Sequence, residues 1–174
     1  VVCVACWNVD QVTRVTRLPL RGETVFGDSF ETGPGGKGSN VAVGAARLGA
    51  RVAIVARLGD DEFGQRALPF WQAEGIDCAH AAVATGEANA VASILVADDG
   101  ENSIAVFRGA GYRLTAAQVR AARPVFEGAA IVALPLELQD EAVDATLRLA
   151  RDCGARTVLN PAPKDNTVPE EYGS

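Results

Sequence analysis

The sequence predicts an α/β fold in which a parallel sheet is flanked by helices and a small β-sheet lies over its strand ends as a lid. Three observations carry this prediction. Short, mainly apolar runs at residues 1–7, 51–58, 130–134 and 157–159 alternate with segments of helical period, as expected for strands buried on both faces and joined by crossover helices. Outside that alternation, residues 90–96 and 103–107 flank Asp98-Asp99-Gly100-Glu101-Asn102, a strong hairpin signal. Between them stands Gly33-Pro34-Gly35-Gly36-Lys37-Gly38-Ser39-Asn40, which must turn sharply and then runs into an apolar helical stretch.

In chain order, residues 1–7 read as a buried strand. Asn8-Val9-Asp10 follows at its carboxyl end, the edge where open α/β sheets bind ligands, which makes Asp10 a candidate ligand residue. Residues 22–30 alternate enough for a short, exposed strand pair. The glycine stretch then opens a helix with Ser39 or Asn40 as N-cap, and Gly49 closes it. Residues 51–58 form the second buried strand. Gly59-Asp60-Asp61-Glu62-Phe63-Gly64 leads into a helix to about Glu74, with acidic residues where the helix dipole favours them and Pro69 as an irregularity. After the hairpin, Thr115 starts a helix, and residues 130–134 form the third strand, ending in Pro135-Leu136-Glu137-Leu138. A helix over 140–152 ends at Gly154, and 157–159 is the fourth strand, ending in Asn160-Pro161-Ala162-Pro163. Residues 164–174 read as a polar tail. The length of 1–174 suits one domain with a substantial core and not two, with lid strands at about 22–32 and 88–108.

Composition narrows the chemistry. A net charge of −6 and a pI near 4.8 argue against nucleic acid or an acidic membrane as partner. No apolar run reaches the ~20 residues of a membrane span, and residues 1–3 show no charged leader, so the cytoplasm is the expected location. One histidine, His80, leaves acid–base work to carboxylates. Cys3 and Cys6 stand at an odd offset on a strand, hence on opposite faces, and read as inert core residues.

The glycine stretch admits more than one reading. Gly33-x-Gly35-x-x-Gly38 fits the spacing of a dinucleotide fingerprint, with Asp60 or Asp61 near the ~20-residue offset of a ribose ligand. That fingerprint normally joins a fold's first strand to its first helix, and here the first strand lies far upstream. A P-loop is excluded because Gly38 separates Lys37 from Ser39. A tight turn without ligand is the plain structural alternative.

Taken together, Asn8-Val9-Asp10, Gly35-Gly36-Lys37-Gly38-Ser39-Asn40, Gly59-Asp60-Asp61, Leu136-Glu137 and Asn160-Pro161-Ala162-Pro163 resemble the ribokinase-like (phosphofructokinase-B) carbohydrate kinases over almost the whole chain. Within that family, the first, fourth and fifth pieces are most similar to the ribokinases. The resemblance makes residues 1–174 the N-terminal portion of a single α/β domain and implies a sugar site at the glycine stretch. Asp10 would accept hydrogen bonds from a sugar diol with Asn8 in support, Gly36 would give close backbone approach, and Lys37, Asn40 and Glu137 would bond further hydroxyls. Ala92 and Ile94 would face the sugar from the lid, which would also form a homodimer contact. The implied reaction is ATP-dependent phosphorylation of a sugar hydroxyl, ribose foremost, with Mg²⁺ and a monovalent cation such as K⁺. The family's catalytic Asp and its nucleotide and cation sites belong to a C-terminal part that this sequence does not contain, so residues 1–174 alone are expected to be inactive. The alternatives are a non-catalytic sugar-binding or regulatory fragment and a kinase for another sugar, phosphosugar or nucleoside. Ala5 and Cys6, where glycine is common, and Arg21, where proline is common, depart from the family pattern. On this reading Gly36→Val should abolish sugar binding and leave the thermal midpoint within a few degrees.

Overall fold

A computed structural model of the chain describes residues 1–162; the polar tail at 164–174 and Pro163 lie outside the described residues. The first strand, β1 (Val2–Ala5), is flanked by β4 (Ala53–Gly59) and β8 (Ile131–Pro135), and these by β5 (Asp77–Ala84) and β9 (Arg156–Asn160), in the order β5-β4-β1-β8-β9 with every pairing parallel. A second sheet has the order β3-β2-β6-β7, built from β2 (Asn8–Val15), β3 (Gly27–Gly35), β6 (Ala90–Ala97) and β7 (Asn102–Phe107). The helices are α1 (Lys37–Arg47), α2 (Ala67–Ala73), α3 (Gly109–Tyr112), α4 (Ala116–Ala121), α5 (Arg123–Phe126) and α6 (Asp140–Asp152), with a 3₁₀ turn at Gly64–Arg66.

The runs at 1–7, 51–58 and 130–134 give strands covered on both faces, whereas the edge strand β9 at 156–160 stays largely exposed, contrary to the expectation for 157–159. Along β1, Val2 and Val4 pack on one side with Phe126, Leu147 and Leu149, while Cys3 and Ala5 pack on the other with Ala42 and Trp71. Cys3 and Cys6 therefore do sit on opposite faces, and burial pushes the Cys3 thiol up to about 12, which keeps it protonated and inert. Thr115 caps α4 through a reciprocal capping box with Gln118, and α6 occupies the span its periodicity predicts.

Several expectations need correction. The run 1–7 does not stay in one sheet: β1 stops at Ala5, and the chain crosses at Cys6 and Trp7 to begin β2 at Asn8. Asn8, Val9 and Asp10, placed beyond the end of the first strand, thus start a lid strand of their own. The exposed pair expected over 22–30 is one strand that starts at Gly27 and runs to Gly35, which places Gly33 and Gly35 within β3. The lid accordingly has four strands and starts at residue 8. β5 is a fifth parallel strand that the periodicity of 77–84 did not disclose. The N-cap of α1 is Gly36, while Ser39 is buried and its Oγ accepts from Trp71 Nε1 at 2.8 Å. Pro69 lies in the first turn of α2, where a missing N–H costs no helical bond. Among the described residues, no helix is long and apolar enough to cross a membrane.

Candidate functional site

A cavity of about 240 Å³ opens where the lid meets the carboxyl ends of the main strands, lined by Cys6, Asn8, Lys37, Leu136 and Glu137 from below and by Val106, Arg108 and Tyr112 from the lid side. Its polar floor is fixed by the start of α1. The Glu137 carboxylate accepts from the Lys37 backbone N–H at 2.7 Å and from Lys37 Nζ at 2.6 Å. A carboxylate at the positive end of a helix is favourably placed, and here it also anchors the cation beside it. Cys6 Sγ donates to the Glu137 carbonyl at 3.0 Å, so β1's end and the segment after β8 hold one another across the cavity.

The lid places its residues by strand register. Asp10 of β2 pairs with Ala92 of β6, and Ala92 pairs with Val106 of β7. Paired residues share a face, so Asp10, Ala92 and Val106 form one row on the face that meets the cavity. Val12, Ile94 and Ile104 form the next row outward. The Asp10 side chain lies over Gly35, where an added Cβ would come within 2.2 Å of Asp10 Oδ1, so only glycine leaves room for the carboxylate. No hydrogen bond or ion pair from a described residue ends on that carboxylate. Its pKa is raised, first by burial and then by the Glu137 charge, with Lys37 opposing. The site thus holds a partly buried acceptor without a partner among the described residues, near a lysine donor, an arrangement able to take the hydroxyls of a small polyol.

Of the residues singled out in the sequence, Asn8, Lys37 and Glu137 line the cavity, and Asp10 and Ala92 stand on the lid face toward it. Ile94 sits one row out. Asn40 is exposed on α1, and its backbone N–H bonds to Gly36 O at 2.9 Å. Gly36 serves the protein's own backbone: φ is +94°, and a Cβ there would lie 2.3 Å from Cys6 O. The expectation that valine is harmless to the fold at this position is therefore withdrawn. Val106, Arg108, Tyr112 and Cys6 were not anticipated as cavity residues. Val106 was within reach, since the hairpin turn at 98–102 fixes it opposite Ala92.

The dinucleotide reading does not survive. Gly33 and Gly35 belong to a lid strand and only Gly38 to the helix start, and Asp60 and Asp61 are spent on backbone: Asp60 Oδ2 accepts from Gly86 N at 2.7 Å, and Asp61 accepts from Gly64 N and Asn89 N, each at 2.9 Å. The sequence also matches the profile of the pfkB family of carbohydrate kinases over residues 1–171. The chain belongs to that family. It is 37% identical to a ribokinase of Mus musculus over 94% of its own length and 50% of that protein's. It is 38% identical to a ribokinase of Bacillus subtilis over 90% of its length and 53% of that protein's. In structure it resembles the ribokinase of Giardia lamblia with a TM-score of 0.85 at 30% identity, covering 93% of this chain and 51% of that one. A ribokinase of Arabidopsis thaliana complexed with ribose and ATP gives a TM-score of 0.78 at 27% identity, with coverage of 98% and 55%. The chain spans about half the length of the relatives it matches.

Proposed function

We propose that this chain is the sugar-binding part of a cytoplasmic, ATP-dependent kinase that phosphorylates a sugar hydroxyl, with ribose as acceptor and ribose 5-phosphate as product. The observation that carries the proposal is the Asp10 carboxylate, partly buried without a partner from the described residues and facing a cavity whose floor presents Lys37, in a chain of this family. The choice of ribose rests on the ribokinase relatives.

Each residue's part follows from its chemistry. An ionised Asp10 accepts from two vicinal hydroxyls, Asn8 offers both a donor and an acceptor, and Lys37 donates while Glu137 holds it in place. Asn40, exposed on α1, is given a further hydroxyl by the family resemblance alone, and Ala92 and Val106 close over the sugar and exclude water. ATP, when bound, supplies the phosphoryl group. Mg²⁺ and a monovalent cation such as K⁺ belong to the same proposal through the family resemblance, acting at the phosphates of ATP. A homodimer through the lid belongs to the same proposal, because Phe30 and Phe107 stand 62% and 55% exposed on its outer face. Sedimentation velocity of a Phe30→Ser, Phe107→Ser variant should then show monomers.

Residues 1–174 alone should bind ribose weakly and show no turnover. Phosphoryl transfer needs donors placed around the transferring group as well as a bound acceptor. Calorimetric titration with ribose, followed by a coupled ADP-release assay with ATP, Mg²⁺ and K⁺, tests both statements. Absence of ribose binding at millimolar concentration would sink the sugar reading. Binding without turnover, in this chain and in any longer form of the protein, would favour a non-catalytic sugar-binding protein.

The raised Asp10 pKa sets a pH dependence. The ionised form is the acceptor, so ribose affinity should fall as pH drops through that raised value, beginning above the ordinary aspartate range near 4. Stability runs the other way for this group: its cost is present above the raised folded-state pKa and is relieved as pH falls through it. Asp10→Asn should therefore remove the acidic fall in affinity together with most of the affinity, while slightly raising the thermal midpoint at neutral pH. Titrations between pH 4 and 8 on both proteins check the sign.

A further inference from the structure

The connections between the two sheets converge on one buried side chain outside the cavity. Asn89 is 1% exposed and precedes β6 directly. Its Nδ2 donates to Trp7 O at 3.1 Å and to Ala90 O at 3.0 Å, and its Oδ1 accepts from Gly59 N at 3.3 Å. Its backbone N–H donates to Asp61 Oδ2 at 2.9 Å, and Asp61 Oδ1 holds Gly64 N. Trp7 is the residue before Asn8 and β2, Ala90 is the first residue of β6, and Gly59 ends β4 of the main sheet. The packing leaves no slack. A Cβ on Gly59 would come within 2.5 Å of Asn89 N, and one on Gly109, where β7 returns to the core, within 2.4 Å of Ala90 N. Glu87, two residues upstream, meets Arg57 at 2.5 Å and Arg113 at 3.2 Å, so the linker is also tied to the core independently of Asn89.

We propose that Asn89, braced by Asp61, is a positioning residue: it pins the bases of β2 and β6 to the end of β4 and so sets where Asp10 and Ala92 stand over the cavity. A primary amide suits this place because it bonds two carbonyls and one N–H at once, and each is costly to leave unpaired in a buried crossing. The side-chain hydrogen bonds of Asn89 go to Trp7, Ala90 and Gly59, none of which lines the cavity. It acts on the lid by fixing the point from which two of its strands depart.

The pin itself stands on the fold, while its effect on ligand rests on the sugar reading above, and the experiment separates the two. Hydrogen exchange is followed on the full chain without ligand, and ribose affinity is measured by calorimetry. Asn89→Ala should raise amide exchange in β2 and β6 about tenfold or more while β1, β4 and β8 change less than about twofold. It should also weaken ribose binding about tenfold. Should Asn89→Ala not fold, Asn89→Ser retains one hydroxyl partner and is read in the same way. Exchange that rises equally in both sheets, or not at all in the lid, overturns the pin. Faster lid exchange with unchanged ribose affinity overturns the positioning role. If the unmodified protein binds no ribose, the sugar reading fails and the exchange pattern still decides the pin.

Discussion

Asp10→Ala should weaken ribose binding by about 30- to 1,000-fold, the loss of one or two hydrogen bonds to a charged acceptor worth roughly 2–4 kcal/mol together. The fold should not suffer. No bond from a described residue ends on the Asp10 carboxylate, and its pKa is raised largely by burial, so the folded state gains little from keeping it ionised. The expected result is a protein with an unchanged or slightly higher thermal midpoint and a calorimetric titration that is nearly flat at millimolar ribose. Gly35→Ala offers a control from the opposite strand, because its methyl would occupy the space of Asp10 Oδ1 and displace the carboxylate without removing it. Near-normal affinity in Asp10→Ala would overturn the assignment of the acceptor.

Gly36→Val should destabilise the protein severely, by about 3 kcal/mol or more. Two costs add. A β-branched residue is forced to a φ of +94°, and its Cβ would sit 2.3 Å from Cys6 O, a backbone atom held by the end of β1. For a chain of this length that corresponds to a fall in thermal midpoint of roughly 6–12 °C or more. Lys37→Ala, one residue on, should behave oppositely. It gives up a partly exposed ion pair worth about 1 kcal/mol or less to the fold, yet removes the donor in the cavity. Thermal melts of the two variants side by side decide the matter: equal, small shifts would show that Gly36 is not required by its own backbone.

What could be read in the sequence was what local chemistry fixes. Thr115 with Gln118 specifies an N-cap, the apolar runs at 51–58 and 130–134 specify strands covered on both faces, and the turn at 98–102 specifies a hairpin. β2 escaped because Val12 falls on the face of Asn8 and Asp10 while Gln11 and Thr13 fall on that of Val9 and Val15, so neither face is uniformly apolar and the two-residue period is lost. β5 escaped because its short side chains, Ala79, Ala81, Ala82 and Ala84 among them, give an edge strand no hydrophobic signature. The Asp10–Ala92–Val106 row depends on a pairing between distant segments that no window of sequence contains. Asp60 and Asp61 were read as helix-start acids, and their bonds to Gly86 and Asn89 show them tying the β5–β6 linker to the end of β4.

The central pairing of the lid has a consequence for how the molecule is made. β2–β3 and β6–β7 are each joined through nearby chain, but β2 finds β6 across about 80 residues that include β4, α2 and β5. At about 5–20 residues per second, β2 leaves the ribosome about 4–16 s before the strand it must pair with exists. During that interval one edge of the nascent ribbon is open, and Asp10, Gln11 and Arg14 lie along the strand that carries it. Polar and charged side chains on a waiting edge discourage pairing with the wrong chain, so the polar residues of β2, the proposed sugar acceptor Asp10 among them, also guard its synthesis.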